Sequence, residues 1–303
     1  MENFYNVNGK KLYVDIIGSK ENTPILYIHG APGVGVADFT AFQKSNFEKD
    51  YYLIAPEQRG VWRSQALDDE EGYSIPKIIE DYEEIRKIFG IKKWICITQC
   101  SGARTALQYY KNYPEIFAAF VFENPIFDNI TIFNEILKLQ LKLLKNKFGD
   151  TAYSEYLSDA RLIKNPLELE SFCNKLGRKT DVNMNMILMS IDTAQKMETL
   201  KENFDYDYFI KSRATEVKMS HDVSMYGSIN EDFNKIKIPT MIIKGAKDVA
   251  VPMKVINEFK EKVPQTQLEI FDNCKHWVHL DEPQKYFEKI SNFINKNFKE
   301  GLN

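Results

Sequence analysis

The stretch Trp94-Ile95-Cys96-Ile97-Thr98-Gln99-Cys100-Ser101-Gly102-Ala103-Arg104-Thr105-Ala106-Leu107, continuing through Tyr110 to Pro114, changes its period halfway along. Residues 94–97 are apolar or β-favouring, whereas Ala103, Ala106, Leu107 and Tyr110 fall at helical spacing. A short buried strand therefore runs into a helix across residues 98–102, with Cys100 in the turn. The pattern small-x-nucleophile-x-small belongs to a sharp turn whose central residue is held in a strained backbone conformation. Thr98-Gln99-Cys100-Ser101-Gly102 fits it, with Thr98 where glycine is usual and Cys100 where serine is usual. Shifting the register to Ser101 would put bulky Gln99 at a small position and leave the conformational freedom of Gly102 unused.

Taken alone, Cys100 reads as a small buried apolar residue. At a helix N-terminus or beside a charged imidazole, however, a thiol pKa falls to roughly 3.5 to 7.5. The backbone N–H of Ser101 would then point at a developing oxyanion. The rest of the chain has to supply the partners.

A chain of 303 residues, 44% hydrophobic and 27% charged, has ordinary globular composition and room for one large α/β domain with an insertion. Its formal net charge of -3 gives no basic footprint for nucleic acid. The first residues lack a basic start followed by an apolar run, and no apolar stretch reaches the roughly 18 residues of a membrane span. These features point to a soluble, cytoplasmic protein with no membrane partner. The four cysteines, Cys96, Cys100, Cys173 and Cys274, show no metal-ligand spacing, so reduced thiols and no metal or other cofactor are expected. Oligomeric state is not readable from the sequence.

Residues 4–7 and 11–17 flank Asn8-Gly9 as a hairpin. Residues 24–28 form a continuous apolar run, as a strand covered on both faces requires, and lead into His29-Gly30-Ala31-Pro32-Gly33. That glycine-rich turn is either an ordinary strand-to-helix connection or the second half of an oxyanion hole, with the Ala31 N–H as donor. His29 reads as structural. Residues 51–55 form another strand, Ser74 caps a helix reaching Ile88, and residues 118–122 form a strand ending in Glu123. Glu123 is either a capping carboxylate or a group that positions substrate or serves as triad acid. From about 127 to 232 helical patterns replace the alternation. Leu137, Leu141, Leu144 and Phe148 make one stripe, expected to pack on the sheet domain. Met184, Met186 and Met189, with Ile187, Leu188 and Ile191, are either pocket lining or core. Strand logic returns at residues 238–245 and ends at 267–271.

His-Gly-x-Pro-Gly at 29–33, Gln58-Arg59-Gly60-x-x-x-Ser64 after the next strand, and the turn at Cys100 together resemble the α/β-hydrolase fold, within it the branch containing proline iminopeptidases. Glu57 stands where that branch usually has aspartate. The resemblance implies a mostly parallel twisted sheet covered by helices on both faces, residues 1–126 and 233–303, with a helical cap at 127–232 inserted after the sixth strand. It implies that Asp248, in Gly245-x-x-Asp, is the triad acid and that His276, the first histidine of His-x-x-x-x-acid-x-Pro, is the base, with His279 structural. Gly30, Glu123 and Trp277 are candidates for substrate contact. The order nucleophile, acid, histidine agrees with this fold.

The chemistry expected is attack by Cys100 on an acyl carbonyl, proton transfer through His276, tautomer control by Asp248, and oxyanion binding by the Ala31 and Ser101 N–H groups. The partner is a small acyl substrate, an ester, thioester or lactone, and the acyl-cysteine is either hydrolysed or transferred. An aminopeptidase of the iminopeptidase type and a non-catalytic small-molecule binder are the alternatives. An intact Cys100, Asp248 and His276 disfavours the binder.

Overall fold

The computed structural model describes residues 3–298, apart from the side chain of Val223; Met1 and Glu2, part of the start read as lacking a leader, lie outside the described residues. Asn8 and Gly9 take positive φ, 48° and 78°, and close the hairpin between β1 (Phe4–Val7) and β2 (Lys10–Ile17). β3 (Thr23–Ile28), β4 (Tyr51–Pro56), β5 (Trp94–Gln99), β6 (Phe117–Glu123), β7 (Thr240–Gly245) and β8 (Gln267–Phe271) complete one sheet, ordered β1-β2-β4-β3-β5-β6-β7-β8. β2 pairs antiparallel with β1 and β4, and every later pair is parallel. The strands at the centre are apolar throughout because both faces are covered.

α1 (Ala37–Phe47) follows β3, α2 (Ile75–Ile88) follows β4 and α3 (Gly102–Asn112) follows β5. Between β6 and β7 the chain forms α4 (Asn129–Arg161), α5 (Pro166–Thr180), α6 (Met184–Leu188), α7 (Ile191–Glu202) and α8 (Tyr206–Ser220). α9 (Met253–Lys262) joins the last two strands, and α10 (Val278–Asp281) and α11 (Pro283–Asn297) close the chain. Alternate strand residues feed the two faces. Ile25, Leu53, Ile95 and Val121 pack with Phe39, Phe47 and Ile290 of α1 and α11, while Leu26, Ile54, Cys96 and Phe120 pack with Ile78, Ala106 and Ile256 of α2, α3 and α9. β3 lies between β4 and β5, so strand order reverses there and a crevice opens at the carboxyl ends of β3 and β5. Both the Gly30 turn and the Cys100 turn leave the sheet at that edge.

The stripe along α4 packs differently from its expected course. Leu141 and Leu144 meet Leu176 of α5, with Tyr153, Tyr156 and Leu157 against the same cluster. The cause is Gly149, whose φ of 84° breaks the helix so that the chain beyond it can fold back. Only the first turns of α4, with Ile132, Phe133 and Ile136, join the sheet's core, and Phe148 is exposed.

Both ends of this helical insertion are fastened to one side chain on α3. The Arg104 guanidinium is buried, without a carboxylate partner among the described residues, and donates to the carbonyls of Phe127 at the exit and of Ser224 (2.6 Å), Tyr226 (3.2 Å) and Gly227 (2.9 Å) at the return. Asp128 caps α4 through the Ile130 N–H and accepts the Gly227 N–H, both at 3.0 Å. The planar fork satisfies four carbonyls that no shorter cation reaches together. Arg104→Leu is expected to lower unfolding free energy by on the order of 3 kcal/mol in urea titration. It should also open residues 221–228 to limited proteolysis, with Arg104→Lys intermediate. An unchanged urea midpoint would show that the insertion is held by other contacts.

Candidate active site

Cys100 adopts φ 56°, outside the regions a cysteine prefers, between the end of β5 and the start of α3. Its N–H donates to the Glu123 carbonyl and its carbonyl accepts from the Ile126 N–H, both at 3.0 Å, so the end of β6 fixes the turn. A Cβ on Gly102 would lie 2.5 Å from the Ile28 carbonyl oxygen, which is why that position is glycine. Thr98 is accommodated because its branch is wholly buried, though its hydroxyl has no partner among the described residues. Gly30 faces the turn from the neighbouring strand end. A Cβ there would stand 2.6 Å from Gln99 Oε1 and 2.7 Å from Cys100 Cβ.

His276 and Asp248 reach the same edge from the turns after β8 and β7. The imidazole Nδ1 lies 3.0 Å from Asp248 Oδ2, and Nε2 has no hydrogen-bond partner among the described residues. Asp248 is 5% exposed and also accepts the Ala250 N–H at 2.9 Å. Burial opposes charge on His276, yet Asp248 and the Cys100 sulfur hold its pKa well above the usual histidine range. Burial likewise opposes the Asp248 carboxylate, and the His276 charge overcomes it and brings that pKa down. Neither the Ala31 nor the Ser101 N–H donates within the described residues, so both are available on the turns that flank Cys100.

The remaining candidates divide. Gly30 and Trp277 line a cavity of about 410 Å³ that opens over Cys100, together with Ala31, Ser101 and His276. Glu123 does not line it. Its carboxylate is fully buried and accepts from His279 Nδ1 at 2.9 Å and from the His279 N–H at 3.1 Å, which corrects its reading as a substrate contact. This Glu123–His279 pair is a second buried carboxylate–histidine pair beside Asp248–His276 in the chain, and neither of its members lines the cavity. Burial pushes the His279 pKa down, and Glu123 with Asp38 more than reverses this, raising it to about 9. His29 accepts the Gln58 N–H at Nε2 (3.1 Å) and bonds the Gly30 carbonyl through Nδ1 (3.1 Å). Burial lowers its pKa to about 4, so it stays neutral.

The motif at Glu57 is held in place by charge. Arg63 donates to the buried Glu57 carboxylate at 2.6 and 2.9 Å, and Arg59 grips Asp81 at 2.6 and 2.7 Å. A Cβ on Gly35 would stand 2.9 Å from Glu57 Cγ, so a glycine admits the longer acid. None of these side chains borders the cavity.

Sequence reasoning missed three groups. Asn124 bonds the Lys275 and His276 carbonyls through Nδ2 (3.1 and 3.0 Å) and accepts the Gly245 N–H (3.0 Å), tying the acid and histidine turns together. A positive φ of 39° directs it there, and its place one residue past a strand end was the only signal. Glu170 and Glu216 lie on the cavity wall beside Arg213, placed there by α5 and α8, whose spacing gave no hint of a common site. Of the methionine run, Met184 and Met189 line the cavity, joined by Met197 and Met219, whereas Met186 and Ile191 point outward.

Residues 23–283 match the family described as alpha/beta hydrolase fold. The chain belongs to that family. It is 24% identical to a proline iminopeptidase of Saccharolobus solfataricus, over 97% of this chain and 92% of that one. It is 23% identical to epoxide hydrolase 1 of Caenorhabditis elegans over 92% of this chain, and spans only 66% of that protein's length. Among solved structures it resembles a proline iminopeptidase-related protein of Thermus thermophilus, with TM-score 0.74, 14% identity and coverage of 96% and 95%. Among the described residues, no helix is long and apolar enough to cross a membrane.

Two buried histidines held charged have a consequence for stability. The unfolded value is near 6.5 and the folded His279 value about 9, so between these pH values the folded state binds more protons. His279 therefore contributes stability that is complete below about pH 6.5 and lost as the pH rises through about 9, and His276, whose pKa is also raised, contributes in the same direction. Urea unfolding at pH 6 and 9 should show this fall, reduced in His279→Gln. An identical pH dependence in that variant would mean His279 is neutral in the fold.

Proposed function

We propose that this hydrolase-fold chain is an enzyme that forms an acyl-cysteine on Cys100 and releases or transfers the acyl group of a small ester, thioester or lactone. The observation that carries this reading is that His276, backed by buried Asp248 and with Nε2 unpartnered among the described residues, lines the same cavity as the strained Cys100. A thiolate beside an imidazolium attacks without first losing a proton. The sulfur adds to the carbonyl carbon, and the Ala31 and Ser101 N–H groups hold the oxyanion. His276 then gives its proton to the leaving alcohol, thiol or amine, leaving a thioester on Cys100. Water or an acceptor nucleophile, deprotonated by His276, completes the cycle.

The cavity favours a largely apolar acyl compound. Ile132, Phe133, Leu188 and the four methionines supply adaptable, polarisable walls. The specific observation in favour of an aminopeptidase is Glu170. This carboxylate on the cavity wall has no ion pair among the described residues, and burial with the nearby Glu216 charge raises its pKa. Glu216 itself is paired with Arg213. An acid so placed suits a substrate amino group, and several relatives are proline iminopeptidases.

Alkylation of Cys100 by iodoacetamide, followed against pH with peptide mass analysis, is the first test. An inflection well below the free-thiol value of about 8.5, shifted upward in His276→Gln, is expected. Mass analysis during turnover of p-nitrophenyl butyrate should then capture an acyl group on Cys100, and Cys100→Ala should lower kcat/KM by about a thousandfold. An ordinary thiol profile with no acylation would overturn the reading. Cleavage of a prolyl arylamide, with KM raised about tenfold in Glu170→Gln, would select the aminopeptidase.

A further inference from the structure

Lys244 interrupts the apolar run of β7, whose residues are all buried. It is 3% exposed and falls on the sheet face where Ile242 clusters with Ile256 and Phe259 of α9. A buried ammonium is normally held against a carboxylate, yet Lys244 makes no ion pair among the described residues. Its Nζ donates instead to two main-chain carbonyls, those of Gly245 and of Asp248, the latter at 2.9 Å. These two residues begin and end the turn that carries the acid, and the Asp248 N–H donates to the same Gly245 carbonyl at 3.0 Å. A charge placed against the local rule in this way is characteristic of functional sites.

The surroundings leave the Lys244 charge one anion to act on. On the flanking strands, Glu123 of β6 is spent on His279 (2.9 Å) and Glu269 of β8 on Lys289 (2.7 Å). On α9, Glu258 lies 3.8 Å from Lys254. In the neighbouring turns Lys247 donates to Asn273, and Lys275 donates to carbonyls of α6. Asp248 has both carboxylate oxygens engaged, by the Ala250 N–H and by His276 Nδ1, so Lys244 bonds its carbonyl and acts on its carboxylate through space. Burial pushes the Lys244 pKa below the usual lysine range against the pull of Asp248. Burial pushes the Asp248 pKa up, and the His276 and Lys244 charges bring it down. In the order Lys244, Asp248, His276, Cys100 the charges alternate in sign, each acting on the next.

We propose that Lys244 is a positioning residue for the reaction: it closes the Asp248 turn and supplies the counter-charge that limits how tightly Asp248 holds the proton of His276. The proposal deepens the acyl-cysteine reading and rests on it. In the acyl-enzyme the Cys100 sulfur carries the acyl group and no charge, and His276 must be neutral at Nε2 to take a proton from the attacking water or acceptor. The bond from that nucleophile to the carbonyl carbon forms, the carbon–sulfur bond breaks, and the abstracted proton stays on His276 beside the restored thiolate. Without Lys244 the carboxylate would keep His276 protonated to higher pH and hold that step back. With it, the imidazole is free at lower pH.

The titration of His276 reads this directly. In the full chain carrying Cys100→Ala, where no thiolate faces the imidazole, histidine-selective NMR follows the four histidines against pH, with His276 assigned by its loss in His276→Gln. Lys244→Met should raise the His276 pKa by about one unit, a tenfold tighter proton. Lys244→Arg keeps the charge and should leave the value within about 0.3 unit. A lysine that only held the turn together would, when lost, release Asp248 and let the His276 value fall towards about 6.5. A fall, or no change, would overturn the proposal. Should Lys244→Met not fold, the same coupling is read in reverse: Asp248→Asn in that background should lower the Lys244 pKa by about one unit. The Lys244 ε-carbon resonance reports it, assigned with Lys244→Arg, and an unmoved value would again overturn the proposal. With Cys100 intact, the acid limb of kcat for p-nitrophenyl butyrate should move up in Lys244→Met together with the His276 value. A His276 shift accompanied by no acyl group on Cys100 during turnover would instead defeat the acyl-cysteine reading and leave the Lys244 coupling standing.

Discussion

The backbone of Cys100 is the constraint on which the site depends. A positive φ at a non-glycine residue costs on the order of 1 to 3 kcal/mol, and it persists here because the surroundings leave no alternative. The end of β6 bonds both the N–H and the carbonyl of that residue. The Ile28 carbonyl excludes a side chain at position 102, and the Gln99 and Cys100 side chains exclude one at position 30. Three adjacent parallel strands thus converge on one turn. The sulfur stands out from the sheet edge, the N-terminus of α3 lies beneath it, and the Ala31 and Ser101 N–H groups remain available.

Two histidines three residues apart illustrate how environment separates chemistry from structure. Each is buried, and each has a carboxylate at its Nδ1. Among the described residues His276 Nε2 has no hydrogen-bond partner and the residue lines the cavity with Cys100, whereas His279 Nε2 lies 3.8 Å from Asp38 Oδ2. The first borders the cavity, and the second does not. The second pins α10 to the end of β6. Asn124 sits between these pairs and keeps the acid and histidine turns in register by uncharged hydrogen bonds.

The helical insertion and the His276 turn are also mechanically continuous. Arg104, two residues into α3, holds both ends of the insertion. From above, α6 grips the histidine turn: the His276 N–H donates to the Leu188 carbonyl at 3.1 Å, and Lys275 donates to the Met186 and Met189 carbonyls. Leu188 and Met189 line the cavity as well. A shift of that wall is therefore felt at the imidazole, so contacts that shape the cavity also orient His276.

Local sequence determined those features that local sterics and periodicity decide. The apolar run at residues 24–28, the change of period at 98–102, the Asn8-Gly9 hairpin and the glycines at 30 and 102 each specify a conformation from a few neighbours, and the strand-end motifs place Cys100, Asp248 and His276 at one edge. Tertiary structure alone decided which carboxylate meets which histidine, because Glu123 and Asp248 both stand at the ends of parallel strands and differ only in what packs around them. It also decided that the α4 stripe turns onto α5 once Gly149 lets the chain reverse, that Met186 faces outward while Met197 faces inward, and that Glu170 and Glu216 share a wall. Those outcomes depend on helix packing between segments distant in sequence, where a single amphipathic pattern is compatible with several partners.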